Sequence, residues 1–228
     1  MNKIKKLILF GDSAFAEIAY EYFTHDSNYE VVAITVSKEY IKNHTFLGLP
    51  IVPFEDIENI YPPSDFEMHI ALVYNSLNRV RKNFYKIAKS KGYKLANYVS
   101  SRAFVWHNVQ MGDNIFIFED NTIQPFVRIG SNNVFWSGNH IGHHSNIGSH
   151  NFFSSHVVIS GFCNIQNSNF FGVNSTVANN LSIGSDCLIG SFVHVGKDVF
   201  DGSLMRGKHT DVDPKSTWDK LKIQRDDS

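Results

Sequence analysis

Cut every six residues, positions 133–162 read NVFWSG NHIGHH SNIGSH NFFSSH VVISGF, and the third place is always apolar. Here it holds Phe135, Ile141, Ile147, Phe153 and Ile159. Followed outward, the series runs unbroken from Met111 to Val195, fifteen apolar residues at a strict spacing of six. With 43% hydrophobic residues, chance produces such a run on the order of once in 10⁵ frames or more rarely. The next place is usually small: Gly112, Gly130, Gly142, Gly148, Ser154, Ser160, Gly172, Ala178, Gly184, Gly190 and Gly196. An inward side chain followed by a small residue at a tight corner is a six-residue β-helix repeat. Phe118, Gln124, Trp136 and Gln166 break the small-residue rule, so the corners are not all alike.

The first hundred residues follow another pattern. KLILF, VVAITV and MHIALVY read as buried strands. Between the first two, Phe15, Ile18, Ala19, Tyr22 and Phe23 form one apolar helical stripe, and Asp12 or Ser13 can cap the helix. FEDIENIY reads as a short helix, and a further one carries Val80, Phe84, Ile87 and Ala88 and stops near Gly92. Alternating strands and helices predict a small open α/β sheet of Rossmann-like character over residues 1–100, followed by the β-helix over 101–228.

Composition excludes several classes. Lys plus Arg (21) nearly balances Asp plus Glu (22), so no global field favours nucleic acid. The basic start MNKIKKLILFGDSAF has too short an apolar run for a signal peptide, and no stretch reaches the roughly 20 apolar residues of a membrane span. Cys163 and Cys187 suggest reduced thiols in a cytoplasmic protein.

The repeat resembles the left-handed β-helix of hexapeptide acyltransferases, in which three six-residue faces make one triangular coil. The resemblance implies about five coils. The order of the two parts resembles one branch, the sialic acid O-acetyltransferases and nucleotide-aminosugar N-acetyltransferases. HHSNIG, then SG, FFGVNSTV and CLIGS match that branch's His-acid pair, AG, FLGIN and ILGGG. By this resemblance His143 is the general base, removing a proton from the incoming nucleophile. His144 stands where the family has a carboxylate, and Asn139 or His140 is a candidate to support the base instead. His156 is a reserve candidate.

The resemblance also implies acetyl-CoA as co-substrate, lying in a groove between neighbouring prisms of a homotrimer. Its arm would pass Gly161, Gly172, Val173, Asn174, Gly190 and Ser191, with the Gly161 N–H as oxyanion donor; alternatively these residues only turn corners. Outward Phe152, Phe162, Phe170 and Phe192 are the expected trimer contacts. A nucleotide-sugar would sit near Gly11, Asp12, Ser13, Ala14 and Asn75, with Arg81 as phosphate partner. GDSAFAE lacks the later glycines of the family's GxGGHG turn, and Asp12 opposes a phosphate there. TVSK, at the end of the second strand, lacks a dinucleotide's ribose-binding acid.

Two other classes stay open. A γ-carbonic-anhydrase-like zinc hydratase shares the scaffold, as does a non-catalytic sugar-binding module. His144, His150 and His156 share a phase but fall on successive faces, and their spacing is His-x5-His rather than the hydratases' His-x4-His. His25, His44, His107 and His150 are expected to be solvent-side polarity.

Overall fold

The computed structural model describes residues 4–208 and 210–224. Five strands form the first sheet: β1 (Lys5–Phe10), β2 (Tyr29–Val36), β3 (Thr45–Phe46), β4 (Leu49–Pro53) and β5 (Phe66–Ile70), in the order β3-β4-β2-β1-β5. The helices packed with this sheet are α1 (Ala14–His25), the one-turn α2 (Ile57–Ile60) and α3 (Arg79–Ser90), and a short α4 (Thr217–Leu221) lies near the C-terminus. Alternation along β1 serves two cores: Leu7 and Leu9 pack with α1, Ile8 and Phe10 with Ile57 and Ala88.

The Rossmann-like expectation is met only coarsely. β4, β2, β1 and β5 run parallel, but β3 is antiparallel to β4, which makes the sheet mixed. That hairpin turns through Leu47 (φ 55°) and Gly48 (φ 77°), a two-residue turn without the Asn-Gly or Asp-Gly that would announce it. β5 is shorter than MHIALVY suggests. Ala71 still donates to the Phe10 carbonyl of β1, but Leu72–Tyr74 leave the sheet, and the carbonyls of Leu72 and Val73 accept from Arg81 instead.

From Tyr98–Val99 to Leu204–Met205 the chain winds through two-residue strands on three parallel sheets of seven, six and five strands. Each strand pairs with the one eighteen residues on, as His140 does with Val158. Three strands per coil make six coils rather than five, because Val99 and Val105 already occupy the inward place. The last coil is tightened, pairing Leu188 with Leu204. Such stacked parallel sheets fit a left-handed β-helix. The inward column is the core, with Phe135, Phe153 and Phe171 stacked at 4.6 and 4.8 Å. Each such burial contributes about 1.5–3 kcal/mol.

The corners differ from the expectation in one respect. Every sixth residue from Asn114 to Phe192 is left-handed, with φ between 52° and 75°, and this place lies two residues after the small one. The small residue is small because the next coil touches it: a Cβ on Gly142 would lie 2.5 Å from the Gly161 nitrogen, and one on Gly172 2.5 Å from the Ser191 nitrogen. The shared phase of His144, His150 and His156 follows, since histidine is enriched in the left-handed region.

The seven-stranded face carries the N-terminal unit. Phe116, Val134 and Phe152 point outward there and are buried against Phe15, Phe23 and Tyr98. Tyr74 covers Phe152 and Phe170, with ring centroids 4.9 and 4.7 Å away. Phe152 and Phe170 therefore belong to the internal interface and are not the expected trimer contacts. Phe162 and Phe192, on other edges of the prism, are 54% and 73% exposed.

Candidate active site

Three corners organise the site. The seven-to-six corner holds Asp120, Gly138, His156, Asn174 and Phe192; the six-to-five corner holds Phe126, His144 and Phe162; the five-to-seven corner holds Asn132, His150 and Asp186. His144, His150 and His156 thus stand on three separate corners and do not converge. Among the described residues no group of three His, Cys, Asp or Glu side chains is placed to hold a metal.

His143 is exposed on the six-to-five corner, one residue before the left-handed His144. Its backbone N–H donates to Gln124 Oε1 at 2.9 Å, and its Nδ1 lies 3.2 Å from His144 Nδ1. Its ring leans over Gly161, where a Cβ would come within 2.8 Å of His143 Cε1. The His144 ring stacks between Phe126 and Phe162 at 4.6 and 4.9 Å. An exposed imidazole braced by a second imidazole and seated on glycine can accept a proton from a nucleophile arriving at this corner.

Several expected roles move. Asn139 is buried: its amide donates to the Trp136 carbonyl and its Oδ1 accepts the Val157 N–H, so it joins coils and cannot serve a substrate. His140 lies on the six-stranded face between Thr122 and Val158, and His143 Nδ1 contacts His144 rather than Asn139 or His140. The Gly161 N–H donates to Asn179 Oδ1 at 2.9 Å, so it is engaged and not a free oxyanion donor. Arg81 is fully buried between carbonyls of Leu72, Val73, Asn132 and Asn151 and cannot reach a phosphate. His150 is not plain surface polarity. It packs under Tyr85, pairs with Asn132 at 2.8 Å, and burial with nearby Lys82 and Arg81 lowers its pKa to about 4.

Gly11, Asp12, Ser13 and Ala14 follow β1, and Asn75 follows β5. β2 lies on one side of β1 and β5 on the other, so these residues flank the point where strand order reverses, where open α/β sheets bind ligands. Gly11 is required by its backbone: φ is 126° and a Cβ would sit 2.8 Å from the Ala71 carbonyl oxygen. Asp12, Ser13, Ala14 and Asn75 are exposed.

Gly172, Val173, Asn174, Gly190 and Ser191 line the seven-to-six corner, away from His143, while Gly161 lies beside it. Gly190 and Ser191 border a depression of about 480 Å³ with Leu188, Phe192, Arg206 and Lys208. The two cations were not singled out from sequence. Their signal was the basic run MRGKH just beyond the last repeat.

The N-terminal unit touches the seven-stranded face and the corners beside it, through Phe15 with Trp136, Tyr22 with Glu119 and Arg79 with Asp186. In a triangular prism the His143 corner is the one opposite that face. His143 and the switch-point loops of one chain therefore lie on different sides of the prism.

No protein-family model matches the chain. No curated protein matches it either. Solved structures do. The acetyltransferase domain of PglB from Neisseria gonorrhoeae FA1090, in complex with acetyl coenzyme A, superposes with a TM-score of 0.79 at 18% identity, covering 91% of this chain and 97% of that one. PerB from Caulobacter crescentus, in complex with CoA and GDP-perosamine, gives 0.78 at 21% identity, covering 90% and 95%. WeeI from Acinetobacter baumannii AYE gives 0.70 at 18% identity, covering 90% and 97%. The likeness extends over both parts of the chain and shows that they share one fold with these proteins.

Proposed function

We propose that this chain moves an acyl group, acetyl foremost, from coenzyme A to an amine or hydroxyl of a sugar, a nucleotide-linked aminosugar for surface glycan synthesis. The observation that carries the reading is His143, exposed, braced by His144 and seated on Gly161, in a fold shared with structures solved with acetyl-CoA and with GDP-perosamine. His143 Nε2 takes a proton as the acceptor attacks the thioester carbonyl. The new C–N or C–O bond forms, the C–S bond breaks, and CoA leaves as its thiol with that proton. Cys163 and Cys187 are buried with pKa values raised by burial, so neither supports a thiolate nucleophile.

We assign acceptor binding to residues 1–100, through Gly11–Ala14 and Asn75, and transfer to residues 101–228. Because His143 stands opposite the face that carries its own N-terminal unit, one chain does not bring base and acceptor together. A homotrimer supplies both, with the His143 corner of one copy facing the Gly172–Asn174 corner of the next. Coenzyme A then lies between prisms, its phosphates toward Arg206 and Lys208. Among the described residues no helix is long and apolar enough to cross a membrane, and we place the reaction in the cytoplasm, where acyl-CoA is available.

The test is thiol release from acetyl-CoA across a panel of nucleotide-linked 4-amino and 3-amino sugars, with CO₂ hydration assayed in parallel before and after EDTA. Acceptor-dependent thiol release is expected. CoA and sugar binding without turnover would leave a binding module, and EDTA-sensitive hydration would favour the zinc hydratase.

A further inference from the structure

We propose that His144 is the positioning residue of a two-imidazole base. Its bare Nδ1 accepts the Nδ1–H of His143 and so holds His143 in the one tautomer whose Nε2 can take a proton. This rests on the reading of His143 as the base. The two Nδ1 atoms are 3.2 Å apart. Only one hydrogen fits on that line, since two N–H groups would point at each other and two bare nitrogens would repel. Heavy-atom positions leave two arrangements. If His144 donates, the ring hydrogen of neutral His143 is on Nε2, and that nitrogen cannot act as a base. If His143 donates, its Nε2 lone pair is free, and His144 carries its own hydrogen on Nε2.

The surroundings fix the position of the His144 ring, and with it the direction of its Nδ1. Its ring is clamped between Phe126 and Phe162, at interplanar angles of 29° and 17°. The Phe162 ring also meets the His143 ring edge-on at 5.0 Å. The His143 backbone is tied to Gln124, and Gly161 lies under its ring. A carboxylate next to a catalytic histidine sets the tautomer through its charge; here the stacked ring would do so through the direction of its Nδ1 lone pair. The left-handed backbone at His144 admits test residues already found at equivalent places: Phe at 126 and 162, Asn at 132, 174 and 180. His144→Phe keeps the stack and removes the acceptor. His144→Asn loses ring area but offers an Oδ1 acceptor.

Nitrogen NMR of the full-length protein labelled with ¹⁵N-histidine reads the tautomer directly, the His143 signals being assigned by their loss in His143→Ala. In wild type His143 should carry its proton on Nδ1 with Nε2 bare. His144→Phe should move that proton to Nε2 and lower kcat about 10–100-fold with KM for acetyl-CoA unchanged, the usual range for a residue that orients another. His144→Asn should keep the wild-type tautomer and restore most of kcat. An Nε2-protonated His143 in wild type overturns the proposal, as does a His144→Phe chain with wild-type tautomer and kcat. Should wild type release no thiol with any acceptor, the transferase reading fails, while the nitrogen spectra still decide the hydrogen bond.

Discussion

Arg81 Nη2 donates to the Asn151 carbonyl at 2.9 Å, which pins α3 of the N-terminal unit to the β-helix through a fully buried charge. Among the described residues no carboxylate answers it. Carbonyls of Leu72 and Val73 accept from Nη1 and that of Asn132 from Nη2, Nε has no hydrogen-bond partner among the described residues, and Phe152 lies 5.8 Å from the guanidinium. Arg81→Met should strand those carbonyls at about 1–3 kcal/mol each where no water replaces the donor. Differential scanning calorimetry should show the midpoint lowered by roughly 6–12 °C for a net loss near 3 kcal/mol. An unchanged midpoint would mean the two units are held together without it.

His143→Ala should lower kcat about 10²–10⁴-fold with CoA affinity nearly unchanged, because in the proposed role the imidazole acts on the acceptor's proton and not on the donor. Steady-state kinetics with CoA titration calorimetry check both halves. Near-normal turnover would hand the role to His156, the exposed histidine of the seven-to-six corner.

Gly161→Ala separates geometry from stability. The added methyl would press on His143 Cε1 and Nε2, at 2.8 and 3.0 Å, which belong to a side chain that can swing away. Activity should fall about 10–100-fold through misplacement of the base, while the melting temperature changes little. Full activity in the Gly161→Ala variant would show that the ring seat does not matter.

Acid should weaken the fold between about pH 6.5 and 4. Burial lowers His69 to a pKa of about 4, helped by the charge of Arg81, and its Nε2 has no partner among the described residues. Burial lowers His150 to about 4 as well, helped by Lys82 and Arg81. Unfolded histidines take up protons near pH 6.5, the folded ones only near 4, so the unfolded state binds more protons in that window and stability falls with pH. For His69, fully buried, the loss approaches on the order of 3 kcal/mol by pH 4. Unfolding at stepped pH should show this slope, reduced in His150→Asn; a flat profile would contradict both burials.

The assembly prediction rests on Phe162 and Phe192. Light scattering at micromolar concentration should give about three times the 25.9 kDa chain mass. Phe192→Glu, on a ring 73% exposed in the single chain, should shift the distribution toward monomer. A monomeric wild type would remove the shared acceptor site.

Much of this was legible in the sequence because the hexad is a local rule. The inward place at Ile141 or Phe171 follows from one residue's phase, so the β-helix needed no distant information. A second rule went unread at a period of eighteen. Tyr98, Phe116, Val134, Phe152, Phe170 and Leu188 are all apolar, whereas Gln110, Arg128, Asn146, Asn164 and Ser182 are all polar. From Tyr98 to Phe170 the first series is the face that the N-terminal unit covers, and Leu188 lies beyond it, exposed. Reading it would have withdrawn Phe152 and Phe170 from the trimer interface.

Sequence alone determined the coil and the inward core, because each depends on neighbours within a few residues; the His143 segment was singled out only by its resemblance to a family. Tertiary structure decided what those residues do. It buried Arg81 and Asn139, engaged the Gly161 N–H with Asn179, and set His144 between two phenylalanines eighteen residues to either side. It also put His143 across the prism from its own chain's switch-point loops. These outcomes depend on how coils stack and on which face a separate sheet docks, and no local period encodes the partner that a side chain meets across that distance.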